Sequence, residues 1–405
     1  MADFGVRFDE AIANLKGKLP EVSLSWDSLA GPVHGTVFTV AGSTSTDLVR
    51  DLHQAVIDAK ANGTTITEFR KRFDQAVAEH GWSYRGKRGW RTQVIFDANM
   101  RSAAMAGRWQ QLVANAERRP FLQYRTAGDA RVRPQHRQWN GRVYPITDSF
   151  WSTHYPPNGW GCRCTVRAYG QAELDAKGLQ VSPPFQGKTR TVVDRDGVPT
   201  DQVPVGIDPW WDHNVGQSWL SPAMALGRKL ASLPRELQGV LVDKTISPAF
   251  QRVLARDWMA FRGAAAADGP AANEAQLVGY LDSPTLASLA EAVPELDLRS
   301  TAVAVQRSKV DLVRGGPPPG WAAEAVDQLP SQLHDYRAVL WDRMDRVLVV
   351  VPRSARGAEQ LQTITLRPNI KAGQGDALGV DSLGTATPDA LGNAGRYVVL
   401  SGRVK

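Results

Sequence analysis

Apolar positions recur at helical spacing in three successive N-terminal stretches, each closed by a stop signal. Leu48, Leu52, Val56 and Ala59 form one stripe of a helix predicted over Asp47–Ala61, which Asn62-Gly63 ends. Thr65 followed by Glu68 is a capping-box pattern, and Ile66, Phe69, Phe73 and Val77 continue from it to the stop at His80-Gly81. A longer helix is predicted over about Arg91–Arg118. Trp90, Val94, Ala98, Met105, Trp109 and Leu112 supply its apolar face, and Pro120 bars continuation. These faces are read as core.

The helical period then fails. Between Phe121 and Tyr169, Arg, Pro, Gly and aromatic residues are mixed too densely for a plain helix or strand. That predicts a loop-rich knot, the kind of segment in which binding residues concentrate. Pro156-Pro157-Asn158-Gly159 is turn chemistry: proline sets φ and glycine permits a positive φ. Asn140-Gly141 predicts a hairpin turn between two short strands. Trp139, Trp151, Tyr155 and Trp160 are expected to cover a core poor in regular secondary structure.

Further on, a short polar helix is predicted at about Gln171–Lys177, then a hairpin over Thr189–Val198 turning at Asp196-Gly197. Gly206–Trp219 is another aromatic, turn-rich stretch, Pro222–Met259 reads as helical, and Gly263–Ala272 has linker composition. Pro317–Gly320 marks a break. After it come a helix at about Trp321–His334 and four strands: Ala338–Asp342, Arg346–Pro352, Thr363–Pro368 and Arg396–Ser401. The β-branched run Val347–Val351 suits a buried strand. The expected fold class is α+β. It divides into a helical N-terminal region (1–120), a loop-rich central α+β domain (121–220), a helical connector (221–270) and a small C-terminal α+β domain with an antiparallel sheet (271–405).

Composition narrows the class. The chain has 405 residues, 42% hydrophobic and 22% charged, which suits a soluble protein of two or three domains. No apolar run is long enough to cross a bilayer, and the opening MADFGVRFDEAIANLKGKLP lacks the apolar stretch of a secretory signal. With two cysteines, a disulfide framework is not expected, and synthesis in a reducing cytoplasm is. Net charge is +7, unevenly placed. Arg118, Arg119, Arg125, Arg131, Arg133, Arg137 and Arg142 stand against one acid, Asp129, and Arg85, Lys87, Arg88 and Arg91 precede them. Clustered arginine points to a phosphate-rich or acidic partner, DNA or protein, or to a solvated face with internal ion pairs.

The knot also holds the candidate chemistry. Cys162 and Cys164 point to one face if their stretch is extended. With His136 and His154 they make a tetrahedral zinc set, so zinc is the candidate cofactor, set against no cofactor at all. The bland alternative has both cysteines as small buried residues with Arg163 pairing outward. A thiolate–imidazolium nucleophile is a third reading that no spacing favours.

The order of these residues resembles the phage Mu F-type family of minor head, or head-morphogenesis, proteins. The matching pieces are Phe38–Gly42, Thr64–Phe73, His80–Tyr84, Trp90-Arg91-Thr92, Tyr124-Arg125 and Arg133-Pro134-Gln135-His136. They continue with Trp139-Asn140-Gly141, Phe150–Val166 (FWSTHYPPNGWGCRCTV) and Gly206–Gly216, covering roughly the first 220 residues. The motif residues are Trp139, Gly141, Pro156, Pro157, Gly159, Trp160 and Arg163. The resemblance implies a virion component of a tailed phage or prophage, in the head interior or at the portal vertex, and in the host cytoplasm during assembly. Its implied partners are the portal protein, the major capsid or scaffold protein, and packaged double-stranded DNA, with no membrane. Many relatives carry cysteine where this chain has Arg133 and His136, and histidine shortly before the Cys-Arg-Cys. Arginine cannot be a ligand, which leaves His136, Cys162, Cys164 and His154 here.

The C-terminal part, about Ala271–Lys405, resembles more weakly the barnase/EndoU/colicin/RelE-like nuclease domains that end some such proteins. That resemblance implies an RNase as the alternative function. RNA cleavage needs an acid–base pair and cations, for which His334, Arg337, Arg346 and Tyr397 are the candidates.

Overall fold

The computed structural model describes residues 8–29, 31–43, 45–220, 248–263, 275–309, 319–353, 359–372 and 375–404, with isolated positions between 226 and 242. Residues 264–272 of the predicted linker and about half of the predicted connector 221–270 lie outside the described residues.

The chain divides into two units, Met1–Ala225 and Leu226–Lys405. In the first, α1 (Asp9–Gly17) leads into β1 (Leu19–Ser23), which pairs in parallel with β2 (Val37–Ala41). Then come α2 (Thr46–Asn62), α3 (Ile66–Glu79) and α4 (Arg88–Ala114). Ser45 caps α2 by accepting from the Leu48 N–H, and Gly63 ends it in the left-handed region. Thr65 and Glu68 close the predicted capping box on α3. One apolar core joins Ala11, Leu15, Phe38, Val40, Leu48, Leu52, Val56, Phe69, Phe73, Ile95 and Ala103.

The third helix departs from its predicted face at one end. Trp90 is 62% exposed, and Thr92 and Ile95 rather than Val94 are buried, because the start of α4 turns a different face to the core. Further along, Met105, Ala106, Trp109 and Leu112 enter a second core with Leu122, Tyr124, Trp139, Phe150, Trp151, Tyr155, Ile207 and Trp211. α4 therefore belongs to both cores, and residues 1–120 and 121–220 lie in one unit.

The knot holds more regular structure than expected. β3 (Phe121–Arg125), α5 (Pro134–Trp139), β4 (Val143–Pro145), α6 (Phe150–His154) and β5 (Thr165–Tyr169) surround an antiparallel sheet of order β4-β3-β5. These elements are three to six residues long, too short for a period to show. Asn140-Gly141 is not a hairpin turn. It joins α5 to β4, with the Asn140 Oδ1 accepting from the Thr126 N–H at 2.9 Å and Gly141 at φ +85°. The unit ends with α7 (Gln171–Ala176), the hairpin β6 (Thr189–Val193) and β7 (Pro199–Pro204), and α8 (Val215–Leu220).

The second unit is built on a seven-stranded sheet of order β14-β10-β11-β12-β13-β9-β8. Its strands are β8 (Ala275–Tyr280), β9 (Ala302–Gln306), β10 (Tyr336–Asp342), β11 (Val347–Pro352), β12 (Leu361–Ala372), β13 (Gly375–Ala386) and β14 (Tyr397–Gly402). All six residues of β11 are buried, as its apolar run predicts. The sheet is mixed rather than purely antiparallel, since β13 and β9 pair in parallel. β13 (GDALGVDSLGTA) is rich in glycine and aspartate, which hides it from a propensity reading. The helix expected over Trp321–His334 is two short ones, Ala323–Asp327 and Leu329–His334, the second starting with proline in its first turn. The fold class is α+β.

Candidate functional site

α5 starts at Pro134 and turns His136 and Trp139 inward. The stretch leading into β5 brings Cys162 and Cys164 to the same imidazole. Their Sγ atoms lie 3.8 and 3.5 Å from His136 Nδ1, and all three residues are buried. His136 Nε2 is 3.0 Å from the Gly206 carbonyl oxygen. A carbonyl only accepts, so Nε2 carries the hydrogen and Nδ1 turns a lone pair toward the sulfurs. Gly206 makes this contact because it has φ +101°, and a Cβ there would stand 2.6 Å from Gln135 Cβ. The Trp139 ring stacks on His136 at 4.8 Å and fixes its plane.

The two thiols share protons. A hydrogen bond from the Cys164 thiol favours one thiolate at Cys162 against the cost of burial. That thiolate, with burial, pushes the Cys164 thiol up. The pair gives up one proton readily and holds the second.

Ion pairs frame the cluster. Arg133 Nη1 and Nη2 donate to Asp208 at 3.0 and 2.9 Å, and Nη2 also donates to the Trp160 carbonyl at 2.9 Å. Asp208 Oδ2 accepts from the Trp160 N–H at 2.8 Å. Gly159, at φ +152°, lets the backbone pass here, since a Cβ would collide with the Asp208 and Arg133 side chains. Arg163 makes a bidentate pair with Asp129, both contacts 2.6 Å, and holds that carboxyl at about 2. The buried Asn158 accepts from Tyr124 Oη at 2.8 Å. Pro156-Pro157 is a cis peptide bond, and Trp160 packs on Trp26 and Trp211.

His154 does not join the cysteines. It stacks on Phe150 at 4.5 Å, meets Trp139 edge-on at 4.8 Å, and its Nδ1 bonds Thr153 Oγ1 at 2.8 Å. Burial pulls its pKa down to about 3. It is a core histidine on α6, whereas the ligand-like histidine sits on α5. Among the described residues, the three-member group His136, Cys162 and Cys164 is the buried one with metal-ligating chemistry.

The seven arginines do not form one uniform face. Arg119 pairs with Glu173, Arg131 lies 3.9 Å from Asp129, and Arg133 is tied to Asp208. Arg137 donates to the Ala130 carbonyl, and Arg142 donates to the Gln138 carbonyl and to Tyr144 Oη. Arg125, the last residue of β3, and Arg118, three residues before the strand, are exposed.

In the second unit the residues proposed for RNA cleavage stand apart. Arg337 lies near one end of β10, while Tyr397 pairs with Asp342 at the other. Five residues of strand separate those ends, about 17 Å. Arg346 is in the turn after β10, 3.9 Å from Glu295, and His334 is half-buried with Nδ1 bonded to the Pro330 carbonyl. The four do not form one constellation.

Tyr124, Asn158, Gly206 and Asp208 fall within the quoted motif stretches, but their contacts at the site were not foreseen from sequence. Each acts across tens of residues, Arg133 to Asp208 spanning 75, and no local signal links such pairs.

The description "Phage Mu protein F like protein" belongs to the family model that matches residues 50–167, from α2 through β5, including His136, Cys162 and Cys164. The putative capsid assembly protein F of Escherichia phage Mu is 28% identical, over 87% of this chain and 85% of its own length. The Mu-like prophage FluMu F protein of Haemophilus influenzae is 27% identical, over 59% of this chain and 64% of its own length. No solved structure gives a significant match. The motif order, the matched span and the similarity along most of the chain agree, and all three liken the chain to the Mu F-type family.

Proposed function

We propose that this protein acts in phage head assembly as a minor head component. The observation that carries the reading is similarity along 87% of the chain to a protein described as a putative capsid assembly protein. The finer reading names its partners as the portal protein and the major capsid or scaffold protein, with packaged double-stranded DNA as a further contact. Its place would be the head interior or portal vertex, reached from the host cytoplasm. No helix among the described residues is long and apolar enough to cross a membrane. The mechanism is binding by a rigid surface. The central sheet and its ion-paired frame hold Arg118 and Arg125 outward, where phosphates or acidic side chains can meet them.

Deleting the gene from an inducible phage genome tests the reading. The expected result is malformed or empty heads, restored by the intact gene. Normal yields of DNA-filled heads without it would reject an assembly role. The DNA contact has its own test. Affinity of the full chain for random duplex should fall steeply with salt, and Arg118→Ala/Arg125→Ala should flatten the log–log slope by about 2. No binding at low salt rejects that contact alone.

A further inference from the structure

The donor set at α5 and β5 has the geometry of a metal site. Tetrahedral zinc takes sulfur at about 2.3 Å and nitrogen at about 2.0–2.1 Å, which puts a ligating sulfur about 3.6 Å from a ligating nitrogen. The two sulfur–nitrogen distances here, 3.8 and 3.5 Å, bracket that value. They fit two ligands held at one point beside a ring nitrogen that carries a lone pair. The histidine is also oriented as a ligand. Its Nε2–H is spent on the Gly206 carbonyl at 3.0 Å, so the free lone pair is on the ring atom facing both sulfurs. A cavity of about 90 Å³, lined by His136, Cys162, Cys164, Arg133, Trp160 and Gly161 among others, adjoins the three donors.

We propose that His136 Nδ1, Cys162 Sγ and Cys164 Sγ bind one zinc ion, with water from this cavity in the fourth position. Sulfur and imidazole nitrogen select zinc over magnesium or calcium, which take oxygen. The two thiols release their protons to solvent on binding, and the two thiolate charges neutralise the ion. Arg133 and Arg163 are already matched by Asp208 and Asp129, so the surrounding guanidiniums leave little net positive charge against the metal. No fourth His, Cys, Asp or Glu joins the group among the described residues, which is why the last position falls to water. The ion ties α5 to the start of β5, 26 and 28 residues along the chain. Its role is to hold the knot, and His154 has no part in it.

Elemental analysis of the full chain, purified under reducing conditions, should find about one zinc per protein. Cys162→Ser and Cys164→Ser should each weaken zinc binding at least about tenfold, whereas His154→Phe should leave it unchanged. Should the serine variants fail to fold, the wild-type protein still decides. After the metal is stripped, Co²⁺ should give the visible bands of a tetrahedral thiolate site, and added Zn²⁺ should protect both thiols from a disulfide dye. Protein purified without zinc, showing no cobalt spectrum and thiols equally reactive with and without Zn²⁺, would overturn the proposal. Zinc lost from His154→Phe but kept by the serine variants would do so too.

Discussion

Lys18 is buried, and its ammonium donates to the His34 carbonyl at 2.7 Å. Burial alone pulls its pKa from 10.5 to about 8. At pH 7 the group is charged in both folded and unfolded chains, so the folded state carries the whole burial penalty. A shift of that size corresponds to about 3 kcal/mol. As pH rises past 8 the folded lysine loses its proton while the unfolded one keeps it up to 10.5, so stability rises across that window. Lys18→Met removes the penalty and also the hydrogen bond, which is worth about 1 kcal/mol. The variant should therefore be more stable than wild type at pH 7 by about 1–3 kcal/mol. The assay is urea unfolding of both proteins followed by tryptophan fluorescence from pH 6 to pH 10.5. Taking the difference between the two curves cancels the other groups that titrate there. The gap should close between pH 8 and 10.5. A variant less stable at pH 7, or a gap that does not change with pH, would refute the reasoning.

Three further outcomes follow from the same structure. His34 and His53 are held neutral, chiefly by burial, at about 3 and 4, so below 6.5 only the unfolded chain takes up those protons. Stability should then fall by about 1.4 kcal/mol per pH unit for each histidine, and an acid limb that stays flat from pH 6.5 to 5 would contradict this. Asp208→Ala leaves Arg133 and the Trp160 N–H without their acceptor. With both partners about a third exposed, the cost should be about 1–3 kcal/mol in thermal or urea melts. Asp342 has a side chain 2% exposed and accepts from Arg396 at 2.7 and 2.8 Å and from two backbone N–H groups, so Asp342→Asn should destabilise the second unit by about 2–3 kcal/mol. Burial opposes ionisation of this carboxyl, but the Arg396 hydrogen bonds outweigh it and lower the pKa. The contribution is therefore present above 3.8 and lost as pH falls through the folded value, which acid titration of the melt would show.

Long periodic segments were legible from sequence. α2 and α3 match their predicted stripes and caps because the signals are local: an oxygen before the first turn, a glycine after the last, and apolar residues on one face. β11 was legible for a related reason, since an unbroken β-branched run has few other places to go. Trp90 shows the limit. Its spacing fits the α4 stripe, but this end of the helix buries the face of Thr92 and Ile95 instead. The C-terminal sheet was half visible, because β8, β9 and β13 declare themselves only through their partners. At the site, the structure brings together the two cysteines and one of the two histidines named from sequence. Choosing between His136 and His154 required knowing which short helix faces β5, and that is a tertiary fact.

α4 is 27 residues long, about 40 Å from end to end, and its two halves are buried in different cores. A rod shared this way makes the cores mechanically dependent. Loosening the N-terminal helices removes the support on which Tyr155 Oη finds the Met105 carbonyl, at 2.9 Å, and on which the aromatic floor of the cysteine site rests. A fragment cut near residue 120 would leave α4 with half its apolar stripe in water. A fragment starting there would lack one wall of its core. The matched family span begins inside α2 and ends in β5, so it runs across the seam instead of stopping at it. The matched span is then a single cooperative block, in which the helices that brace the knot are as much a part of the unit as the knot itself.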